Sequence, residues 1–136
     1  MGNCLIVKSG GKSQFLTPTL LWENSNFDPI TSTQMPAFGA TTLNIVWQGY
    51  KYIVLVYRNC TGGDSVRALA SVATPIGTSI TFGGEVDATH WHYNTPNSLW
   101  RTMSFGTNTI SFTTSSAYGN IPAGTWNVPC FIYGLK

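Results

Sequence analysis

Apolar and polar positions alternate along most of this chain, and helical spacing is scarce. Residues 3–8 predict a short first strand, ended by Ser9-Gly10-Gly11, and Thr19-Leu20-Leu21-Trp22-Glu23 predicts a second. A long polar segment follows, in which Pro29 and Pro36 mark turns. Leu43, Ile45 and Trp47 then alternate with Asn44, Val46 and Gln48, the pattern of a strand with one apolar face. The clearest strand covers 51–58. There Tyr52, Val54 and Val56 point one way, while Ile53, Leu55 and Tyr57 point the other. Both faces are apolar, which excludes a strand in an open sheet with one wet face. Such a strand lies between two layers, or has the core on one side and a partner on the other.

Residues 59–64 read as a turn. Over 65–73 Asp64 could cap a short helix carrying Val66, Leu69 and Val72, but a strand is the preferred reading because Pro75 and Gly77 close the segment quickly. Residues 77–83 supply another strand, with Ile80 and Phe82 on one face, and 85–93 carry a weaker pattern. The best hairpin is 99–114. Arg101, Met103 and Phe105 share a face, Gly106-Thr107-Asn108 turns the chain, and Ile110 and Phe112 share a face on the return. Residues 118–124 read as a loop. The last strand, 125–133, contains Pro129, so it is expected at a sheet edge or with a bulge. The sum is an all-β, single-domain antiparallel β-sandwich, jelly-roll-like, of about eight to ten short strands, with a small barrel as the alternative. Residues 1–18 are expected to form an N-terminal arm or the first strand.

Composition narrows the function. Charged residues are 9% of the chain, against roughly 25% in ordinary soluble domains. Thirty Ser and Thr and ten Asn take their place. Lys and Glu normally keep monomers apart, so their scarcity points to a surface covered by neighbours. The net charge of +2 is scattered, with no basic run to mark a nucleic-acid partner. No apolar stretch has the length of a membrane helix or of a signal-peptide core, so synthesis in a cytoplasm without membrane insertion is expected. Cys4, Cys60 and Cys130 are odd in number and lack CxxC spacing, which favours buried free thiols over disulfides or a zinc site.

The inventory for catalysis is thin. Of five carboxylates, only Glu85 and Asp87 sit two apart, as a strand edge would place them. His90 and His92 flank Trp91 and could share one face of a strand as metal ligands, with Asp87 the nearest third; a polar face opposite Trp91 is the plainer reading. No nucleophile elbow is present. Gly10-Gly11-Lys12-Ser13 matches only the end of a phosphate-binding loop, and a polar tail or linker is expected there instead. No enzyme activity and no cofactor are therefore expected. Aromatic side chains are the better supply. Trp91, His92, Tyr93, Trp100 and Tyr118, set among Asn and Thr in turn-rich sequence, are candidate ligand-binding residues for a glycan; core and subunit contacts are the competing role for each.

Three segments carry a resemblance: Leu20-Leu21-Trp22-Glu23-Asn24, the stretch 101–112 with its glycine turn, and the ending Val128-Pro129-Cys130-Phe131-Ile132-Tyr133-Gly134-Leu135-Lys136. Together with the opening residues 1–8 and Ala37-Phe38-Gly39-Ala40-Thr41-Thr42-Leu43, they resemble small bacteriophage virion proteins of phages infecting Gram-positive gut bacteria. Leu135 stands where that family usually has Ile, and residues 60–98 match it poorly. The resemblance implies a structural or receptor-binding component of a tail or particle surface, often a homotrimer, in contact with other virion proteins and with a host-surface glycan. Capsid decoration is a variant of that role, and a free carbohydrate-binding module is the alternative from another class. On this reading Tyr52, Val54 and Val56 are the expected oligomer interface.

Overall fold

The computed structural model describes residues 5–9, 12–26, 37–58, 69–83, 100–115, 123–124 and 127–136. Among the described residues all regular structure is strand. β1 (Leu5–Ser9) and β2 (Lys12–Leu16) form a two-stranded antiparallel sheet of their own. The other eight strands form two four-stranded antiparallel sheets. The first sheet holds β3 (Thr19–Glu23), β10 (Val128–Leu135), β5 (Tyr52–Arg58) and β6 (Leu69–Pro75), in that order. The second holds β4 (Thr41–Asn44), β9 (Thr109–Phe112), β8 (Arg101–Gly106) and β7 (Ile80–Phe82). This is the expected β-sandwich. Chain-distant strands β3–β10 and β4–β9 pair in the nested manner of a jelly roll, whereas β5–β6 and β7–β8 are neighbours in sequence as well as in space.

Period-two patterning sets which side chains meet between the sheets. Ile53, Leu55 and Tyr57 of β5 face inward with Ile132 of β10; Met103, Ile110 and Phe112 answer from the second sheet. Edge-to-face and tilted ring contacts tie the layers together. Trp22 meets Phe38 at 6.0 Å, Phe38 meets Phe112 at 5.9 Å, Phe112 meets Phe82 at 6.1 Å, and Phe82 meets Tyr57 at 4.9 Å. That series runs through both sheets and the segment before β4.

Several expectations need correction. Residues 12–16 are a strand rather than a polar tail: Gly10 and Gly11 separate two paired strands. The strand expected across Leu43, Ile45 and Trp47 stops at Asn44, because the backbone N–H of Ile45 donates to Asn108 O (3.0 Å) in the facing turn. Ile45 is nonetheless buried. Pro129 does not mark an edge strand. β10 lies between β3 and β5, and the alternative expectation, a bulge, is the one realised: the register with β5 shifts between Pro129 and Phe131. Residues 59–68 and 85–93 lie outside the described residues, while β6 confirms a strand over 69–75.

The ending Ile132-Tyr133-Gly134-Leu135-Lys136 has a local reason for its glycine. A methyl group on Gly134 would enter the ring of Tyr50, which packs on that backbone. The Lys136 ammonium lies 5.7 Å from the same ring's centre, and Lys51 N donates to Leu135 O (2.7 Å). Gly134→Ala should therefore overpack this end and lower stability by about 1–3 kcal/mol, read by denaturant unfolding. An unchanged midpoint would show that Tyr50 moves aside freely.

Candidate interaction surface

Most of the aromatic and histidine candidates, namely His90, Trp91, His92, Tyr93 and Tyr118, lie outside the described residues, as do Cys4 and Cys60. Trp100 is described and half-buried, directly before Arg101. Among the described residues no group of three His, Cys, Asp or Glu side chains could hold a metal ion, and Glu23 is the only carboxylate side chain. Nor is any described helix long and apolar enough to cross a membrane.

The interface candidates are in view. Tyr52, Val54 and Val56 occupy the outer face of the first sheet, opposite the buried Ile53, Leu55 and Tyr57. Cross-strand register extends them into rows. Leu20, Tyr133, Val54 and Ala73 form one row across all four strands. Phe131, Val56 and Ser71 form the next, with Glu23 at its β3 end, and Leu135, Tyr52 and Pro75 form a third. The rings of Phe131 and Tyr133 lie side by side, centroids 6.2 Å apart. Leu20 is 48% exposed and Tyr52 45%, while Val54, Val56, Phe131 and Tyr133 are half-buried. In the four strands Glu23 is the only exposed charged residue, since Arg58 is buried.

The sequence pattern identified the β5 part of this surface and missed Leu20, Phe131, Tyr133 and Ala73. Alternation was a usable signal within β10. In β3 an extra residue reverses which positions face out: the register with β10 shifts between Ile132 and Tyr133, so Leu20 and Glu23 both lie in outer-face rows although three residues apart.

The second sheet's outer face has the opposite chemistry. Thr42, Ser111 and Ser104 make one row, and Thr102 and Thr81 lie in the next. Thr42 Oγ1 and Ser111 Oγ are 3.0 Å apart, as are Thr81 Oγ1 and Thr102 Oγ1. Those hydroxyls bond to one another and carry no charge. Such a face is compatible with water, whereas the apolar face of the first sheet is not satisfied by it.

Two buried ionisable groups belong to the framework. Arg101 Nη1 donates to Phe38 O (2.8 Å) and Thr113 O (2.9 Å), and Nη2 donates to Gly124 O (2.7 Å). Its guanidinium also sits 5.5 Å from the centre of the Phe38 ring. Burial pulls its pKa down to about 10, so it stays charged at neutral pH. The charge is spread over carbonyl dipoles of three residues, which no neutral side chain could hold in the same way. Burial likewise pushes the Cys130 thiol up to about 12, against a smaller opposing effect of Arg58.

Cys130 is a free thiol, as the odd cysteine count implied. Because the thiolate is the reactive form, alkylation of Cys130 in the folded chain should stay slow even at pH 9. It should become fast on adding denaturant, read by mass spectrometry of the peptide containing Cys130. Fast labelling under native conditions would contradict its burial. Arg101→Met should leave the buried Phe38 carbonyl without this donor, while Gly124 O keeps the Phe38 N–H and Thr113 O is only part-buried. It should cost about 1–3 kcal/mol by denaturant unfolding.

No protein-family model matches the chain, and no curated protein matches it significantly.

Proposed function

We propose that this chain is a non-catalytic structural module of a bacteriophage virion, which works by packing against further copies of itself and against other particle proteins. The observation that carries the self-association is the apolar outer face of the first sheet, from Leu20 through Tyr133 and Val54 to Ala73. Contiguous apolar surface with little charge is the property of a protein contact. The sandwich fold, the low charge content and the resemblance to small tail and surface virion proteins support the particle setting. That resemblance brings with it a trimer, host-surface glycan as receptor, and a tail or receptor-binding position, with the capsid surface as its variant.

The two segments that carry the resemblance most strongly are neighbours in the fold. The opening motif is β3 and the ending is β10, paired in register Trp22 with Ile132 and Glu23 with Phe131. Asn24 follows β3, and its Nδ2 donates to Pro129 O (3.0 Å). Motifs more than a hundred residues apart thus describe one edge of the sheet that carries the apolar face.

The purified chain should sediment as an oligomer at micromolar concentration, and Val54→Arg should convert it to a folded monomer with little change in unfolding midpoint. A wild-type monomer at that concentration would remove the self-association reading. Gold-labelled antibody on phage particles separates a head from a tail position, and failure to find the protein in particles would remove the virion reading.

A further inference from the structure

The apolar face lies on a single sheet, β3-β10-β5-β6, and so presents one surface rather than two. The row of Leu20, Tyr133, Val54 and Ala73 runs across its middle, between the row of Leu135, Tyr52 and Pro75 and the row of Phe131, Val56 and Ser71. Glu23, the one exposed charge of the four strands, stands at the β3 end of the last row, on the margin of the sheet. The opposite outer face carries Thr42, Ser104, Ser111, Thr81 and Thr102, so among the described residues it adds no second apolar surface.

We propose that two copies of this chain stack these faces on one another about a two-fold axis, so that the unit of self-association is a dimer and not the trimer that the resemblance implies. This inference rests on the self-association proposed above and gives its symmetry. A two-fold contact sets the same patch of each subunit against the other, whereas a ring of three joins two different patches or divides one patch between two neighbours. Area decides between them. The strands hold 5, 8, 7 and 7 residues. At about 3.4 Å per residue and about 4.8 Å between strands they cover roughly 440 Å² in flat projection. Stacking whole faces covers roughly 900 Å² of projected face in the pair, and side chains standing out of the sheets add to that. This is close to the total of about 1,000 Å² at which a specific contact begins. Dividing the face between two neighbours leaves each contact roughly 440 Å², well inside the range of incidental packing. Charge and shape agree with area. With Glu23 on the margin, a second copy brings no like charge to the middle of the contact. Both sheets have the same twist, so they can pack aligned at about 10 Å, as sheets do within a sandwich.

Val54 belongs to the middle row, so two-fold stacking brings the Val54 side chains of both copies into the same central region. Val54→Arg and Val54→Glu should each weaken association at least about a hundredfold, because like charges then meet away from water. Mixed in equal amounts, the two variants should pair and restore the dimer. Sedimentation velocity at micromolar concentration reads the stoichiometry of wild type, of each variant and of the mixture, with the unfolding midpoint as the control for folding. Tyr52→Arg and Tyr52→Glu, at a 45% exposed position in the neighbouring row, replace the Val54 pair if those variants do not fold. A wild-type trimer would overturn the two-fold contact and leave self-association standing. A dimer that survives either charge, or a mixture that stays monomeric, would place the contact on another surface and also overturn it. A wild-type chain that never associates would remove both proposals.

Discussion

Pro129 stands in a strand that has neighbours on both edges, where a residue without an N–H leaves the ladder incomplete. The chain accommodates it with a bulge between Pro129 and Phe131, and with Asn24. The Asn24 backbone N–H donates to Cys130 O (2.9 Å), while its side-chain amide donates to Pro129 O (3.0 Å) and its side-chain carbonyl accepts from Asn26 N (3.1 Å). The carbonyls at the irregularity are thereby satisfied, so β10 can continue between β3 and β5. Without that strand the first sheet would separate into β3 alone and the β5–β6 pair.

Arg101 plays the corresponding part for the second sheet and the segments beside it. Its three donors hold carbonyls of Phe38, before β4, and of Thr113 and Gly124, both between β9 and β10. Gly124 N in turn donates to Ser115 O (2.8 Å), and Phe38 N donates to Gly124 O (2.9 Å). Phe38 contributes its ring to the aromatic series and its carbonyl to the guanidinium, so packing and polar satisfaction are coupled in one residue. At the opposite end, Trp47 Nε1 donates to Gly106 O (3.0 Å) and Thr109 O (3.1 Å), clamping the β8–β9 hairpin while its ring packs on Phe105.

With both ends held and the interior filled, the two outer faces are left to decide what the module does. One carries two pairs of bonded hydroxyls, Thr42 with Ser111 and Thr81 with Thr102, that water accepts. The other is a row of aliphatic and aromatic side chains that gains free energy on leaving water, at about 25 cal/mol per Å² of apolar surface. The difference between the faces gives the sandwich a direction: one outer face is apolar and the other is lined by hydroxyls.

Period-two alternation in 51–58 and 101–112 was enough, from sequence alone, to specify strands, their inward residues and a sandwich, because side-chain direction within a strand is a local property of the backbone. The odd thiol count likewise pointed to the free, buried Cys130. Local pattern did not tell which strands become neighbours. Pro129 argued for an edge or a bulge equally well, and only the pairing of β10 with both β3 and β5 chose the bulge. The alternation placed Arg101 on the face of Met103 and Phe105 but gave it no role, since its three acceptors are backbone carbonyls, which every residue has and no motif announces. The apolar outer face was legible only through Tyr52, Val54 and Val56. Its remaining members come from strands more than thirty residues away along the chain on one side and more than seventy on the other, except for Ala73 in the adjoining hairpin strand, and register brings them together.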